Sequence, residues 1–267
     1  MPQSILVFAA HPDDAEFFAG GTLARMAREG ARLRLAIATD GRRGSFSIDS
    51  DRLAETRQEE ARRAAAVIGA EPPLFLGHPD LELDRLPPGT LREQFIRLIR
   101  ELRPDVLFAP DPFAAQEVHP DHRAVAWAAS DAVHFATLPL MHPEHVLAGL
   151  TPHFVAEKYF YAETPAASAR IVDISQTIDL KLRALAEHRS QMEFLVEDVR
   201  RQAVVAGLDL QSVIGAALDD PMAAVEWAMR AQAAEVGARL GLAYGEAFRY
   251  VRFHPIVEDL LATRSDG

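Results

Sequence analysis

No cysteine occurs in the chain, and that one absence removes disulfides, thiolate nucleophiles, Cys-ligated structural zinc and dithiol redox motifs together. Any metal would have to be held by histidine and carboxylate. Positive charge is also scarce. The 28 Lys and Arg stand against 39 Asp and Glu, a formal net charge of -11, which argues against nucleic acid or an anionic membrane as partner and favours a neutral or polar small molecule. No apolar run reaches the roughly 18 to 20 residues of a membrane span, and no basic segment with a longer apolar core opens the sequence. A cytoplasmic protein is expected. Core material is plentiful: 49% of the 267 residues are hydrophobic, enough for one large domain or two small ones. With no internal repeat and no clear linker, the expectation is one domain over 1–267 with a helical elaboration at about 196–240.

The organising stretch is Ile5 to Asp14, where an apolar run ends abruptly in His11-Pro12-Asp13-Asp14. A run of this length and content reads as a strand buried on both faces, and His-Pro-Asp-Asp is its first turn. The pattern repeats at Val106 to Ala109, followed by His119-Pro120-Asp121-His122. Between them come a helix from Glu16 to Arg28, a strand from Arg32 to Thr39, a helix from about Leu53 to Ile68, a short strand from Pro73 to Gly77 and a helix from Leu91 stopped by Pro104. Strand and helix alternating four times predicts a parallel sheet covered on both faces. A helix from Ala124 to Phe135 follows. Leu138 to Pro152, with three prolines, reads as a surface loop carrying His142 and His145 into solvent, with His153 beside it. Later strands are expected at Tyr159 to Ala162, Ile171 to Ile174 and Phe248 to Phe253, and helices at Ile178 to Phe194 and through Val225, Met229, Ala233, Val236 and Leu240.

In an open parallel sheet, loops at the C-terminal ends of strands meet where the strand order reverses. His11, one of Asp13 or Asp14, and His122 would there supply the three ligands of a catalytic zinc site, with one position left for water. The second aspartate would remain as a general base. His119, as an imidazolium oriented by Asp121, could stabilise an oxyanion or protonate a leaving group. Spacing leaves open which aspartate is the ligand. Dinucleotide binding is disfavoured because no Gly-x-Gly-x-x-Gly follows Ala10. Arg57 and Glu60, one turn apart, read as an exposed pair, and Asp80 as a turn residue or hydroxyl acceptor. Tyr161 is a further oxyanion donor to weigh.

Ala10-His11-Pro12-Asp13-Asp14, Gly20-Gly21-Thr22 and His119-Pro120-Asp121-His122 together resemble the PIG-L or LmbE-like zinc N-deacetylase family. Thr39-Asp40-Gly41, Arg57 with Glu60, Val172-Asp173-Ile174, Lys181 and His188-Arg189-Ser190-Gln191 extend the match over about residues 4 to 195. The resemblance implies a Rossmann-like three-layer α/β sandwich, mainly parallel, with the active site at the C-terminal ends of strands 1 and 4. It further implies zinc (Zn2+) on His11, Asp14 and His122, Asp13 as general base, His119 at the oxyanion or as acid, and Arg57 and Asp80 at sugar hydroxyls. Phe108-Ala109-Pro110-Asp111-Pro112 and Tyr244-Gly245-Glu246-Ala247-Phe248-Arg249 are similar to the diacetylchitobiose deacetylase branch. That similarity implies a homo-oligomer, a hexamer in that branch, in which His254 lines a neighbour's sugar pocket.

The reading that follows is a zinc-dependent hydrolase removing acetyl from an N-acetylglucosamine-type sugar. Its rivals are an amidase for a larger N-acyl or sugar-thiol conjugate and a non-catalytic, metal-dependent sugar-binding protein.

Overall fold

The computed structural model describes residues 2–162, 169–210 and 220–265. Among these residues, seven strands form one sheet in the order β3-β2-β1-β4-β5-β7-β6. They are β1 (Ser4–Ala9), β2 (Arg32–Thr39), β3 (Leu74–His78), β4 (Val106–Pro110), β5 (Glu157–Tyr161), β6 (Arg170–Asp173) and β7 (Gly245–Val251). β1 to β5 run parallel, and β7 runs antiparallel to both β5 and β6. The order reverses between β1 and β4, whose register pairs Ile5 with Val106 and Val7 with Phe108. That register brings both His-Pro-Asp turns out side by side at the same sheet edge.

Alternation along β1 divides the core. Leu6, Phe8 and Ala10 face one layer, built by α3 (Thr90–Leu102) and α4 (Pro120–Phe135), where Phe8 stacks on Phe95 at 3.9 Å. Ile5 and Val7 face the other layer, built by α1 (Asp14–Arg28) and α2 (Ser50–Ile68). Helices on both faces explain why β1 reads as continuously apolar.

The stretch expected as a solvated loop is built around a buried cation. Arg100 of α3 is 2% exposed. Its guanidinium donates to the carbonyls of Ala136, Leu138, Met141 and His142, at 2.7 to 3.2 Å. These contacts fold the segment into a short helix, α5 (Pro143–Leu147), and bury His145 completely between Arg100 and Glu93. His145 is therefore a core residue, and His153 binds the Pro104 carbonyl at 2.7 Å. Neither could be told from a loop histidine by composition.

The helix expected from Ile178 to Phe194 is two, α6 (Ile178–Glu187) and α7 (Arg189–Ala206), joined at His188. His188 is fully buried, 3.5 Å from Glu16. α7 restarts where the Ser190 N–H and hydroxyl donate to Glu60 at 2.8 and 2.6 Å. Two further helices, α8 (Pro221–Ala238) and α9 (Pro255–Ser265), flank β7. Residues 211–219, within the elaboration expected at about 196–240, lie outside the described residues.

Replacing Arg100 by Leu should leave several buried carbonyls without a donor and destabilise the fold by about 3 kcal/mol. A urea titration checks this, and a change under about 0.5 kcal/mol, typical of a surface substitution, would contradict the account.

Candidate metal and active site

The site begins with Asp14, the first residue of α1. Its Oδ2 accepts the N–H groups of Ala10 and His11, both at 2.9 Å, tying the helix start back onto the end of β1. Its Oδ1 is thereby directed at two imidazoles, 3.7 Å from His11 Nδ1 and 3.4 Å from His122 Nε2. Those two nitrogens are 3.1 Å apart. An ion holding ligands tetrahedrally at about 2.0 to 2.1 Å sets ligand separations of roughly 3.3 Å, so these three atoms fit such an ion without rearrangement.

Each histidine is held from behind by carboxylate. His11 Nε2 lies 3.2 Å from Asp80 Oδ1 and 3.4 Å from Asp121 Oδ2, and His122 Nδ1 pairs with Glu117 Oε2 at 3.1 Å. A carboxylate behind a ligating imidazole fixes its tautomer and orientation. Electrostatics follow this packing. Burial alone would lower His122, but Asp14 and then Glu117 raise it to about 10. Against a similar burial penalty, Asp121, Asp14 and Asp80 hold His11 well above its usual range. Burial would raise Asp14 and Asp80. The His122 and His11 imidazoles keep Asp14 well below the carboxylate range, and His11 keeps Asp80 at about 2.

Asp13 diverges from Asp14 toward the buried guanidinium of Arg57, which donates to its Oδ1 at 2.9 Å. Burial raises the Asp13 carboxyl, and Arg57 offsets part of that rise. Arg57 is not an exposed partner of Glu60. Both are buried, Glu60 binds Ser190, and the second Arg57 nitrogen binds the Gly41 carbonyl at 3.0 Å. Gly41 has φ +66, and a Cβ there would lie 2.5 Å from the guanidinium, so the Thr39-Asp40-Gly41 turn needs its glycine on both counts.

His119 is the N-cap residue of α4, and its Nδ1 accepts the Asp121 N–H at 3.3 Å, which leaves the ring proton on Nε2. Its rings lie 4.5 and 4.8 Å from those of His11 and His122. Burial, then the neighbouring His11 and His122, push it below its usual pKa. Both the accepted N–H at Nδ1 and this shift favour the neutral imidazole over an imidazolium. The Asp121 carboxylate does not orient it either. Fully buried, that carboxylate accepts Leu81 N–H at 2.7 Å and Leu83 N–H at 3.2 Å and faces His11.

A cavity of about 550 Å³ opens beside the triangle, with Asp13, Asp14 and His122 at one end. Arg57, Asp80 and His254 do not line it. Asp80 accepts the Arg43 N–H at 3.0 Å and turns toward His11. His254 is exposed and accepts the Ile256 N–H. Tyr161 donates to the Phe8 carbonyl at 2.9 Å and is not available to an oxyanion. Glu117 was missed in sequence, although an acid shortly before a His-Pro-Asp-His turn is the signal that could have found it. Glu246 stands in a motif visible in sequence, but its partners, the Gly21 and Thr22 N–H groups and Lys181, are remote in the chain.

Comparison with known proteins gives concordant findings. The family model for GlcNAc-PI de-N-acetylase, PIG-L, matches residues 6–133. Diacetylchitobiose deacetylase of Thermococcus kodakarensis is 34% identical over 194 residues, covering 71% of this chain and 70% of the relative. A probable N-acetyl-alpha-D-glucosaminyl L-malate deacetylase 2 of Bacillus cereus is 27% identical over 205 residues, 74% of this chain and 88% of the relative. Among solved structures, N,N'-diacetylchitobiose deacetylase from Pyrococcus horikoshii superposes with a TM-score of 0.77 at 29% identity, covering 94% of this chain and 84% of that one.

Metal ligation needs neutral imidazole nitrogens, whereas the surrounding carboxylates favour protonated imidazole at His11 and His122 in the metal-free protein, and the 3.1 Å between their facing nitrogens has room for one shared proton. Adding zinc to weakly buffered metal-free protein at pH 7 should release about one proton or more per ion bound, and affinity should fall as pH is lowered. Binding without proton release, followed by pH-stat titration, would contradict this assignment.

Proposed function

The chain belongs to the PIG-L family of de-N-acetylases, and from that premise we propose that it is a zinc-dependent N-deacetylase, one domain acting on an N-acetylglucosamine-type sugar. The observation that carries the reading is the pairing of a three-ligand triangle with a separate half-buried carboxylate, Asp13, whose raised pKa and bond to Arg57 suit a base. Pure metal or sugar binding does not need that second carboxylate. Diacetylchitobiose is the substrate class that the relatives favour.

His11, Asp14 and His122 would hold the ion. When bound, zinc supplies Lewis acidity, lowering the pKa of water to about 7 and polarising a carbonyl. Asp13 takes the proton of the attacking water, and Arg57 keeps the resulting acid-base group in place. The His119 Nε2–H donates to the oxygen that gains charge as the amide carbon becomes tetrahedral. Asp13 then returns the proton to the nitrogen, the C–N bond breaks, and acetate and a free amine leave. Asp121 and Asp80 act through His11, orienting a ligand. His254, exposed and off this chain's own cavity, contributes to sugar binding only from a neighbouring copy in a homo-oligomer. A fully active monomer in sedimentation would remove it from the reading.

Acetate release from N-acetylglucosamine and diacetylchitobiose by zinc-loaded protein tests the reading. Asp13→Ala should abolish turnover and keep the metal, and His119→Ala should cost about 10²-fold or more in kcat. Full activity in either variant removes that residue's role. Arg57→Leu should raise the Asp13 pKa. Because the base acts deprotonated, the acidic limb of the rate profile should move to higher pH. An unmoved limb would show that Arg57 does not set it.

A further inference from the structure

The far side of the cavity is built for something other than a sugar ring. Beyond Asp13, Asp14 and His122 its lining includes Phe17 and Phe18 of α1, Leu195 of α7, and Met229, Ala233 and Val236 of α8. α7 and α8 lie beyond residue 133, where the match to the family model ends. Among the described residues, three polar side chains reach this part of the wall, namely Gln232, Lys181 and Glu246. Gln232 is exposed. The other two satisfy one another: Lys181 Nζ donates to Glu246 Oε1 at 2.7 Å and to the Phe17 carbonyl at 2.6 Å. Glu246 also accepts the N–H groups of Gly21 and Thr22 at 3.0 and 2.7 Å.

A pyranose carries a hydroxyl on most of its carbons, and every hydroxyl buried here without a partner is penalised. Apolar substituents meet no such penalty. They gain from covering Leu195, which is 40% exposed although it faces the cavity. At about 550 Å³ the cavity is within the range that encloses a small-molecule ligand. We propose that this wall binds an apolar substituent several carbons long on the amide substrate, borne on the acyl group or on the aglycone. This inference rests on the N-deacylase reading and sets its specificity: the enzyme prefers a lipid-like or arylated amino sugar to the bare N-acetyl compound.

Two substrate series test it with zinc-loaded enzyme. One lengthens the acyl group of N-acylglucosamine from acetyl through butanoyl and hexanoyl to octanoyl. The other keeps acetyl and lengthens an alkyl glycoside of N-acetylglucosamine from methyl to octyl. In the series whose chain enters the wall, kcat/KM should climb about fourfold per added methylene until the cavity is filled, and the climbing arm identifies the source of the chain. Leu195→Gln and Val236→Gln, at partly exposed positions, should flatten that slope. Calorimetric binding of both series to the zinc-loaded Asp13→Asn protein gives a second readout. Hydrolysis of the acetyl compounds with flat or falling slopes in both arms overturns the inference and leaves the deacetylase reading intact. Affinity that climbs with chain length without any turnover sustains the apolar site and sinks the deacetylase reading. Absence of both turnover and a climb in affinity overturns the two together.

Discussion

Three carboxylates buried around a single imidazole are the constraint on which the site is built. Asp14, Asp80 and Asp121 are 5%, 4% and 0% exposed, and all lie within 3.7 Å of His11. Anions at that depth persist only when paired and hydrogen-bonded. The backbone supplies what the imidazole cannot. Asp14 takes the N–H groups of Ala10 and His11, Asp80 that of Arg43, and Asp121 those of Leu81 and Leu83. In satisfying these charges the loops after β1, β2 and β3 and the start of α4 are fastened to one another, so the metal triangle and the local fold are one structure.

The reacting groups are arranged by the same economy of partners. Asp13 is held from another segment, by Arg57 of α2, whereas His122 and His119 are held by near neighbours in the chain, Glu117 and the Asp121 N–H. Asp13 is left facing the cavity while the ligands are locked from behind. Further out, the Glu246 carboxylate gathers α1 and α6 onto β7 through Gly21, Thr22 and Lys181. Gly21 has no room for a side chain, since a Cβ would come within 2.8 Å of Ile174. These contacts give the glycine pair a packing reason and close the floor of the cavity.

The parallel half of the fold was legible because its signals are local. Apolar runs ending in His-Pro-Asp turns, and helices stopped by Gly30 or Pro104, state strand and helix directly in residues 4 to 135. The ligand candidates were visible for the same reason, being clustered at strand ends. What escaped depends on pairing across the chain. Nothing near Arg100 shows that it will gather four carbonyls and bury His145. The break at His188 follows from Glu16 and Glu60, far upstream, and helical periodicity runs through it unmarked. Adjacency misled in one place, where Asp121, two residues from His119, turned its carboxylate to His11 instead.

X-ray absorption at the zinc edge of the loaded protein tests the central claim most directly. The account expects nitrogen and oxygen ligands at about 2.0 to 2.1 Å, outer-shell scattering from two imidazoles, and a carboxylate contribution that disappears in Asp14→Ala. Three imidazoles with no carboxylate would place His119 on the metal and contradict the division between ligands and reacting groups.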